Sequence, residues 1–419
     1  MRNLLRALRS RNYRLFVAGQ SVSLVGTWMQ QVAMSWLVYR LTGSVMLLGV
    51  VGFASQFPTI IISPVAGVLA DRWNRRPLLI ATQTLALFQA AFLATVVLTG
   101  NVQVSQIILL SLILGVVNAF DVPIRQSFLV EMLEHREDLG NAIALNSSML
   151  NAAYLVGPSI AGLLVASVGE GVCFVLNTIS YLAVIVALAA MRLPHGFQSL
   201  RPKRNVMREL HEGFMYAYKF GPIRNILLLV AIVSLMGLPY TVLVPVIAKE
   251  ILHGGVQTFG FLMTAAGGGA LLGTLYLASC KSVLGFDRLI VSATFFFAAG
   301  IAVLALSNNF ILSLTAMASA GFGAMKLLVS SNMVLQTILD EDKRGRVISI
   351  LTMAYIGIVP FGILGVGAIA GIIGPRNTLL IGAAGCLVGA TVFAQQIPCF
   401  RKQVRPIYVR MGIIREVAD

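Results

Sequence analysis

Residues 45–76 read VMLLGVVGFASQFPTIIISPVAGVLADRWNRR. The stretch 45–70 carries no charged side chain, and the segment closes on Asp71, Arg72, Arg75 and Arg76. About 20 apolar residues suffice to cross the hydrocarbon layer as a helix. An uncharged run of that length stopped by arginines reads as a membrane span with a positively charged end. Composition demands the same reading for most of the chain. Of 419 residues, 58% are hydrophobic and 11% charged, and the mean hydropathy is +0.86. A water-exposed surface needs far more charge than this. Lipid must therefore solvate most of the side chains, with backbone polar groups satisfied inside helices.

Working outward, the gaps between charges place spans at 14–39, 45–70, 77–99, 103–124, 139–168 and 171–191. After a polar interval come 225–248, 256–280, 288–307, 309–331, 346–373 and 377–398. Turn residues at Thr99-Gly-Asn101 and Ser307-Asn-Asn309 divide two uncharged stretches. The expectation is an all-α membrane protein of twelve transmembrane helices. Residues 1–192 form a first six-helix bundle, 193–223 a cytoplasmic linker, 224–400 a second bundle and 401–419 a basic cytoplasmic tail. Within the linker, Met207–Lys219 has helical spacing of apolar residues. It predicts an amphipathic helix on the inner leaflet, or else an exposed linker helix.

The chain has 31 lysines and arginines against 16 acids, a formal charge of +15. An even number of spans puts both termini on one side. With that side cytoplasmic, every lysine and arginine except Arg40, Lys249, Lys326 and Arg376 falls in a cytoplasmic loop or tail. Charge laid along one membrane face, without a basic module or interleaved aromatics, argues against nucleic-acid binding. The basic Met1–Arg14 stretch and the long first apolar run predict no cleavable signal peptide.

Enzyme chemistry finds no foothold. Cys173, Cys280, Cys386 and Cys399 form no C-x-x-C pair and read as small buried hydrophobes. His135, His195, His211 and His253 lie in loops or at span ends, and H-E-x-x-H, P-loop and G-x-S-x-G motifs are absent. No metal or cofactor is expected, and any driving energy must come from an ion gradient.

The two halves echo each other. Gly67 and Gly273 hold matching places in the second and eighth spans. Leu139-Gly-Asn-Ala-Ile-Ala-Leu145, ahead of Gly157-Pro158, resembles Arg344-Gly-Arg-Val-Ile-Ser-Ile350, ahead of Val359-Pro360. Transporters are often built from such repeats, with the substrate near the bilayer midplane. Gly267-Gly-Gly269-x-x-x-Gly273 and Gly362-x-x-Gly365-x-Gly367-x-x-x-Gly371 have the spacing that lets helix backbones touch.

Gly67-x-x-x-Asp71-Arg72-x-x-Arg75-Arg76 resembles the signature between the second and third helices of the major facilitator superfamily. Gly157-Pro158-Ser-Ile-Ala-Gly162 is similar to an element associated with its exporters. Asn12-Tyr-Arg-Leu-Phe with Gly19-Gln20, Trp36–Ser44, Asp121-Val-Pro-Ile-Arg125-Gln126 and Arg344-Gly-Arg346-Val look like a bacterial branch that includes the enterobactin exporter and macrolide-efflux proteins. The resemblance covers all but the C-terminal tail. It implies the major facilitator fold, two pseudo-symmetric six-helix bundles, and export of a small molecule by proton antiport. By resemblance, Asp71 would contact the eleventh helix and Arg125, latching the inner side. The chain departs from drug/proton antiporters of this superfamily in having no arginine early in the fourth span.

Residue chemistry adds its own expectations. Gly67 would let two helices approach closely, and Arg72, Arg75 and Arg76 either join the gate or anchor topology. Asp121 and Lys326 are ionisable groups inside spans, which costs about 2.5–3.5 kcal/mol at a helix centre. They would form an inner-gate ion pair, or Asp121 would carry the proton, or each would pair locally or snorkel. Candidate cavity residues are Gln20, Ser23, Trp28, Gln31, Asn118, Tyr240, Ser319 and Ser330, with Asn146, Asn151 and Tyr154 from the fifth span. Buried amides and hydroxyls also join helices, which is the plainer role for each. Aromatics and amides with few charges suit an amphiphilic or neutral ligand such as a siderophore or drug. The expected protein is a monomeric transporter of the bacterial inner membrane whose partners are lipid, substrate and protons. A lipid or lysophospholipid transporter and a non-transporting receptor of the same fold are the alternatives.

Overall fold

In the computed structural model each uncharged run is helical almost from charge to charge; the structure describes residues 6–192, 206–280 and 282–414. The helices are α1 Arg11–Thr42, α2 Val45–Arg72, α3 Arg75–Leu98, α4 Val104–Phe128, α5 Leu139–Val168 and α6 Glu170–Ala190. A short α7, Val206–Lys219, precedes α8 Gly221–Ile251, α9 Val256–Ala278, α10 Phe286–Leu306, α11 Phe310–Ile338, α12 Lys343–Ile373 and α13 Pro375–Arg410.

Eleven of these are long and apolar enough to cross a membrane among the described residues. The remaining long helix is α1, 32 residues, diluted by Gln20, Ser21, Ser23, Gln30, Gln31 and Ser35. Of these, Gln20, Ser23 and Gln30 turn inward and are buried, while Gln31 is exposed. The first expected span is therefore present, with a polar face that lowers its mean apolarity.

Two compact units emerge. One is the chain to Pro202 together with Pro245–Thr264; the other is Lys203–Val244 together with Ala265–Asp419. The end of α8 and the start of α9 thus pack into the first unit. Short connections make neighbours antiparallel, so the first unit has a basic end, at Arg75, Arg76 and Arg125, and an opposite end, at Arg40 and Glu170. In the first unit α1 packs on α5 and α6, α2 on α4, and α3 on α4 and α6. In the second, α10 packs on α11 and α13, and α13 on α8.

Glycines set several of these contacts, though not all those expected. Gly115 on α4 faces the Ala54 and Ser55 carbonyls of α2. Gly67 faces nothing within 4 Å among the described residues. Gly269 and Gly273 do press on Ala318 and Phe322 of α11, whereas Gly365 and Gly371 face open space.

The linker helix α7 docks on α12. Gly213 and Ala217 are buried, Glu212 pairs with Arg346 at 2.8 Å, and Lys343 lies 4.6 Å from the Tyr216 ring centre. Phe214 and Tyr218, one turn apart, stay exposed beside Met215. The residues expected to form a basic tail are helical as far as Arg410.

Candidate functional site

At the end of the first unit away from Arg75, α1 closes with Tyr39 and Arg40 in its last turn before a left-handed Gly43 (φ 60°). Arg40 donates Nε and Nη2 to the two Glu170 carboxylate oxygens, at 2.8 and 3.2 Å. Glu170 opens α6, where the helix N-terminus favours a carboxylate. Tyr39 donates its hydroxyl to Glu250 Oε1. The ammonium of Lys249 lies 5.3 Å from the centre of the same ring, a cation–π contact. Trp36 stacks on Phe259 with centroids 6.4 Å apart. Beside them opens a cavity of about 440 Å³ lined by Trp36, Arg40, Val165, Ala166, Glu170 and Val256.

One turn deeper, α5 and α9 touch through their backbones. A Cβ at Gly162 would stand 3.2 Å from Gly260 Cα, and one at Gly260 3.0 Å from Gly162 Cα. Ser159 and Thr264 hydroxyls are hydrogen-bonded at 2.5 Å. Gly157 sits under Trp28, where a Cβ would come within 2.6 Å of the Trp28 Cβ.

The middle of the unit holds a chain of buried amides. Asn177 donates to Gln30 Oε1 (2.8 Å), Gln30 to Gln89 Oε1 (3.2 Å) and Gln89 to the Leu110 carbonyl (3.3 Å). Ser180 completes it by donating to Asn177 Oδ1 at 2.9 Å. Four helices are tied where lipid leaves no water to compensate a lone amide. Trp28 and Tyr154 rings meet at 4.5 Å, and buried Gln20 keeps its carbonyl oxygen without a hydrogen bond.

Towards the basic end, buried Asp121 accepts from Thr82 Oγ1 (2.9 Å) and Gln83 Nε2 (2.7 Å) on one oxygen. Its other oxygen faces Arg125 Nε at 3.6 Å, one helical turn on. Arg75 is paired with Glu131, and Arg76 donates to the Ala189 carbonyl at 2.6 Å.

The second unit carries two interrupted helices. In α8 a π turn, Val233–Gly237, runs into a 3-10 stretch, Leu238–Val242; in α12 a π turn spans Met353–Gly357. They meet at Gly362, where a Cβ would fall 2.6 Å from Pro239 Cγ. Tyr240, inside the break, is buried edge-on against Phe297. Such breaks are common at functional positions.

The profile of a family described as transmembrane secretion effector matches residues 4–405. The chain belongs to that branch of the major facilitator superfamily. The staphyloferrin A transporter of Staphylococcus aureus is 25% identical over 88% of this chain and 92% of its own. Macrolide efflux protein A of Streptococcus pyogenes is 24% identical over 62% of this chain and 64% of its own. The crystal structure of the nucleoside transporter NupG superposes with a TM-score of 0.74 over 92% of this chain and 99% of that one. At 11% identity that likeness speaks for the fold alone. The protein is a multi-pass membrane transporter and not an enzyme.

Within this major facilitator chain the motif residues divide. Arg75, Arg76 and Arg125 bind partners that join α3 to the end of α4, α3 to α6, and one turn of α4 to the next. The side chains of Asp71 and Arg72, which carry the latch expectation, lie outside the described residues. Asp121 and Lys326 each have their partners inside their own unit: Asp121 as above, Lys326 through Ser292 Oγ at 2.9 Å and three aromatic rings. Ser319 donates to the Phe296 carbonyl (3.0 Å) and Ser330 to the Lys326 carbonyl (2.5 Å), the helix-joining role. Gln31 is exposed, Asn118, Asn146 and Asn151 are half-buried, and Ser23 is buried. Sequence reasoning missed Thr82, Gln83, Gln89 and Asn177. Glutamines in neighbouring spans were the available signal, but pairing across helices needs the packing.

Proposed function

We propose that this transporter exports a small amphiphilic molecule, siderophore-like or drug-like, across the bacterial inner membrane by alternating access coupled to proton antiport. Both termini are cytoplasmic, as the distribution of lysine and arginine argues. The observation that carries the reading is the character of the polar interior. It is built largely from amides, hydroxyls and aromatic rings; among the described residues the buried charges inside the spans are Asp121 and Lys326, while Asp138, Glu170 and Asp287 are buried at helix starts. Such walls can hold an amphiphile by stacking and hydrogen bonding, while a phosphorylated sugar or a dicarboxylate would call for arginines. The activities of the two relatives, staphyloferrin A transport and macrolide efflux, point the same way.

In this reading the Arg40–Glu170 and Tyr39–Glu250 contacts close the outward end, and the α8 and α12 interruptions supply the bending points. Asp121 takes and releases the proton as Arg125 moves away and returns. The test is flux in proteoliposomes with an imposed pH gradient, using siderophores, macrolides and lysophospholipids. Accumulation driven by the gradient and lost in Asp121→Asn supports the reading. Uptake of every compound at the protein-free rate, or movement of lysophospholipid alone, overturns it.

A further inference from the structure

A groove of about 460 Å³ lies on the second unit where α10 packs on α13. Arg288, Val291, Ser292, Phe295, Phe296 and Ala299 form one stripe along α10, faced by Ile397 of α13. Phe295 and Phe296 are exposed, and Arg288 is exposed at the basic end. The groove is apolar along its length and cationic at its mouth.

Behind it stands Lys326 of α11, only 4% exposed. Its ammonium donates to Ser292 Oγ and sits 5.1, 5.5 and 5.6 Å from the Tyr276, Phe296 and Phe322 ring centres. An ammonium has three protons to give, and one acceptor is described here. Ser292 is itself engaged, donating to the Leu289 carbonyl at 3.0 Å. Among the described residues no carboxylate lies within ion-pair distance of Lys326 or Arg288. The acid beside the mouth, Asp287, is taken by Arg401 at 2.5 Å. A buried cation with spare donors thus lies behind Ser292 and Phe296 of the groove wall, and a second, exposed cation, Arg288, stands one helical turn from Ser292.

We infer that this groove holds an anionic glycerophospholipid, with its phosphate between Arg288 and Lys326 and an acyl chain along Phe295, Phe296 and Ala299. The phosphate takes a proton of Lys326 that Ser292 leaves unused, and Arg288 completes the charge balance. Ser292 lies about 9 Å along α10 from Phe286, which suits a headgroup at the interface with its chain directed inward. A zwitterionic lipid would bring its own cation against Arg288.

Native mass spectrometry of the purified full chain, titrated with phosphatidylglycerol or phosphatidylcholine, tests this without any transport assay. Each basic residue contributes about fivefold to anionic-lipid binding, so wild type should prefer phosphatidylglycerol about 25-fold. Arg288→Gln and Lys326→Gln should each cut that preference about fivefold, while Arg288→Lys keeps it and Arg376→Gln leaves it unchanged. Arg288 is exposed, so its variant carries the test even where Lys326→Gln does not fold. Equal binding of the two lipids, a preference untouched by Arg288→Gln, or displacement of the lipid by sn-glycerol 3-phosphate at equal concentration would each overturn the assignment. The last outcome would mark a site for soluble phosphate esters.

Discussion

Tyr39 donates its phenolic proton to Glu250, and the neighbouring Lys249 packs its ammonium over the face of the same ring. One side chain thus ties α1 to the Pro245–Thr264 segment by a hydrogen bond and by a cation–π contact. Tyr39→Phe separates the two forces. It should remove a hydrogen bond to a charged group, worth about 1.5–3 kcal/mol, and leave the ring in place. With a cysteine at buried Val165, which lines the adjoining cavity, in a background lacking Cys280 and Cys399, maleimide labelling should speed up at least about tenfold. An unchanged rate would show that the tie does not govern access to the cavity beside it.

Asp121 has three donors and is buried, so its replacements should separate charge from structure. Asp121→Ala strands Arg125 and should lower stability by about 3–5 kcal/mol, read by thermal unfolding in detergent. Combining it with Arg125→Ala should recover part of that loss. Asp121→Asn keeps an acceptor for Thr82 and Gln83 and should fold. If it retains gradient-driven flux, the proton is carried elsewhere.

Glycines that look alike in the sequence should behave differently. Gly162→Ala and Gly260→Ala push a methyl group into the opposing backbone and should cost about 1–3 kcal/mol. Gly67→Ala enters open space and should change stability by less than about 0.5 kcal/mol. Melting temperatures of the three variants in one detergent give the comparison.

The amide chain is a further place to intervene. Asn177→Leu breaks its link to Gln30, while the Ser180 hydroxyl keeps the backbone carbonyl of residue 177 as acceptor at 2.7 Å. Interhelical hydrogen bonds within membranes are worth about 0.6 kcal/mol on average and about 1.7 at most. The loss should therefore be modest for a buried residue, and addition of Gln30→Leu should cost little more. A loss several times larger would mean that the amides do more than hold helices together.

The architecture was legible because hydrocarbon imposes it: uncharged runs between arginines became helices, most with ends within a few residues of those expected, though α11 and α13 run on past 331 and 398 to Ile338 and Arg410. Helix α1 shows the limit. Its glutamines make it the least apolar of the long helices, yet its position before a span of opposite direction required it to cross. Partner choice was harder to read. Asp121 and Lys326 sit about half a chain apart, which suggested a pair across the repeat, but Thr82, Gln83 and Ser292 lie on helices whose rotation no periodicity reveals. The same holds for glycine. Gly67 and Gly273 share a place in their halves, and only Gly273 meets a neighbouring backbone.

Helix α13 continues through Pro398 and Pro406 to Arg410, and Phe400, Val404 and Tyr408 fasten its extension down one face. At 1.5 Å per residue its 36 residues reach about 54 Å, well beyond the oily layer. A soluble helical domain grafted in continuous register at Arg410 would therefore stand on a stiff post. For a membrane protein of 44.9 kDa, that gives electron microscopy a fiducial for particle alignment.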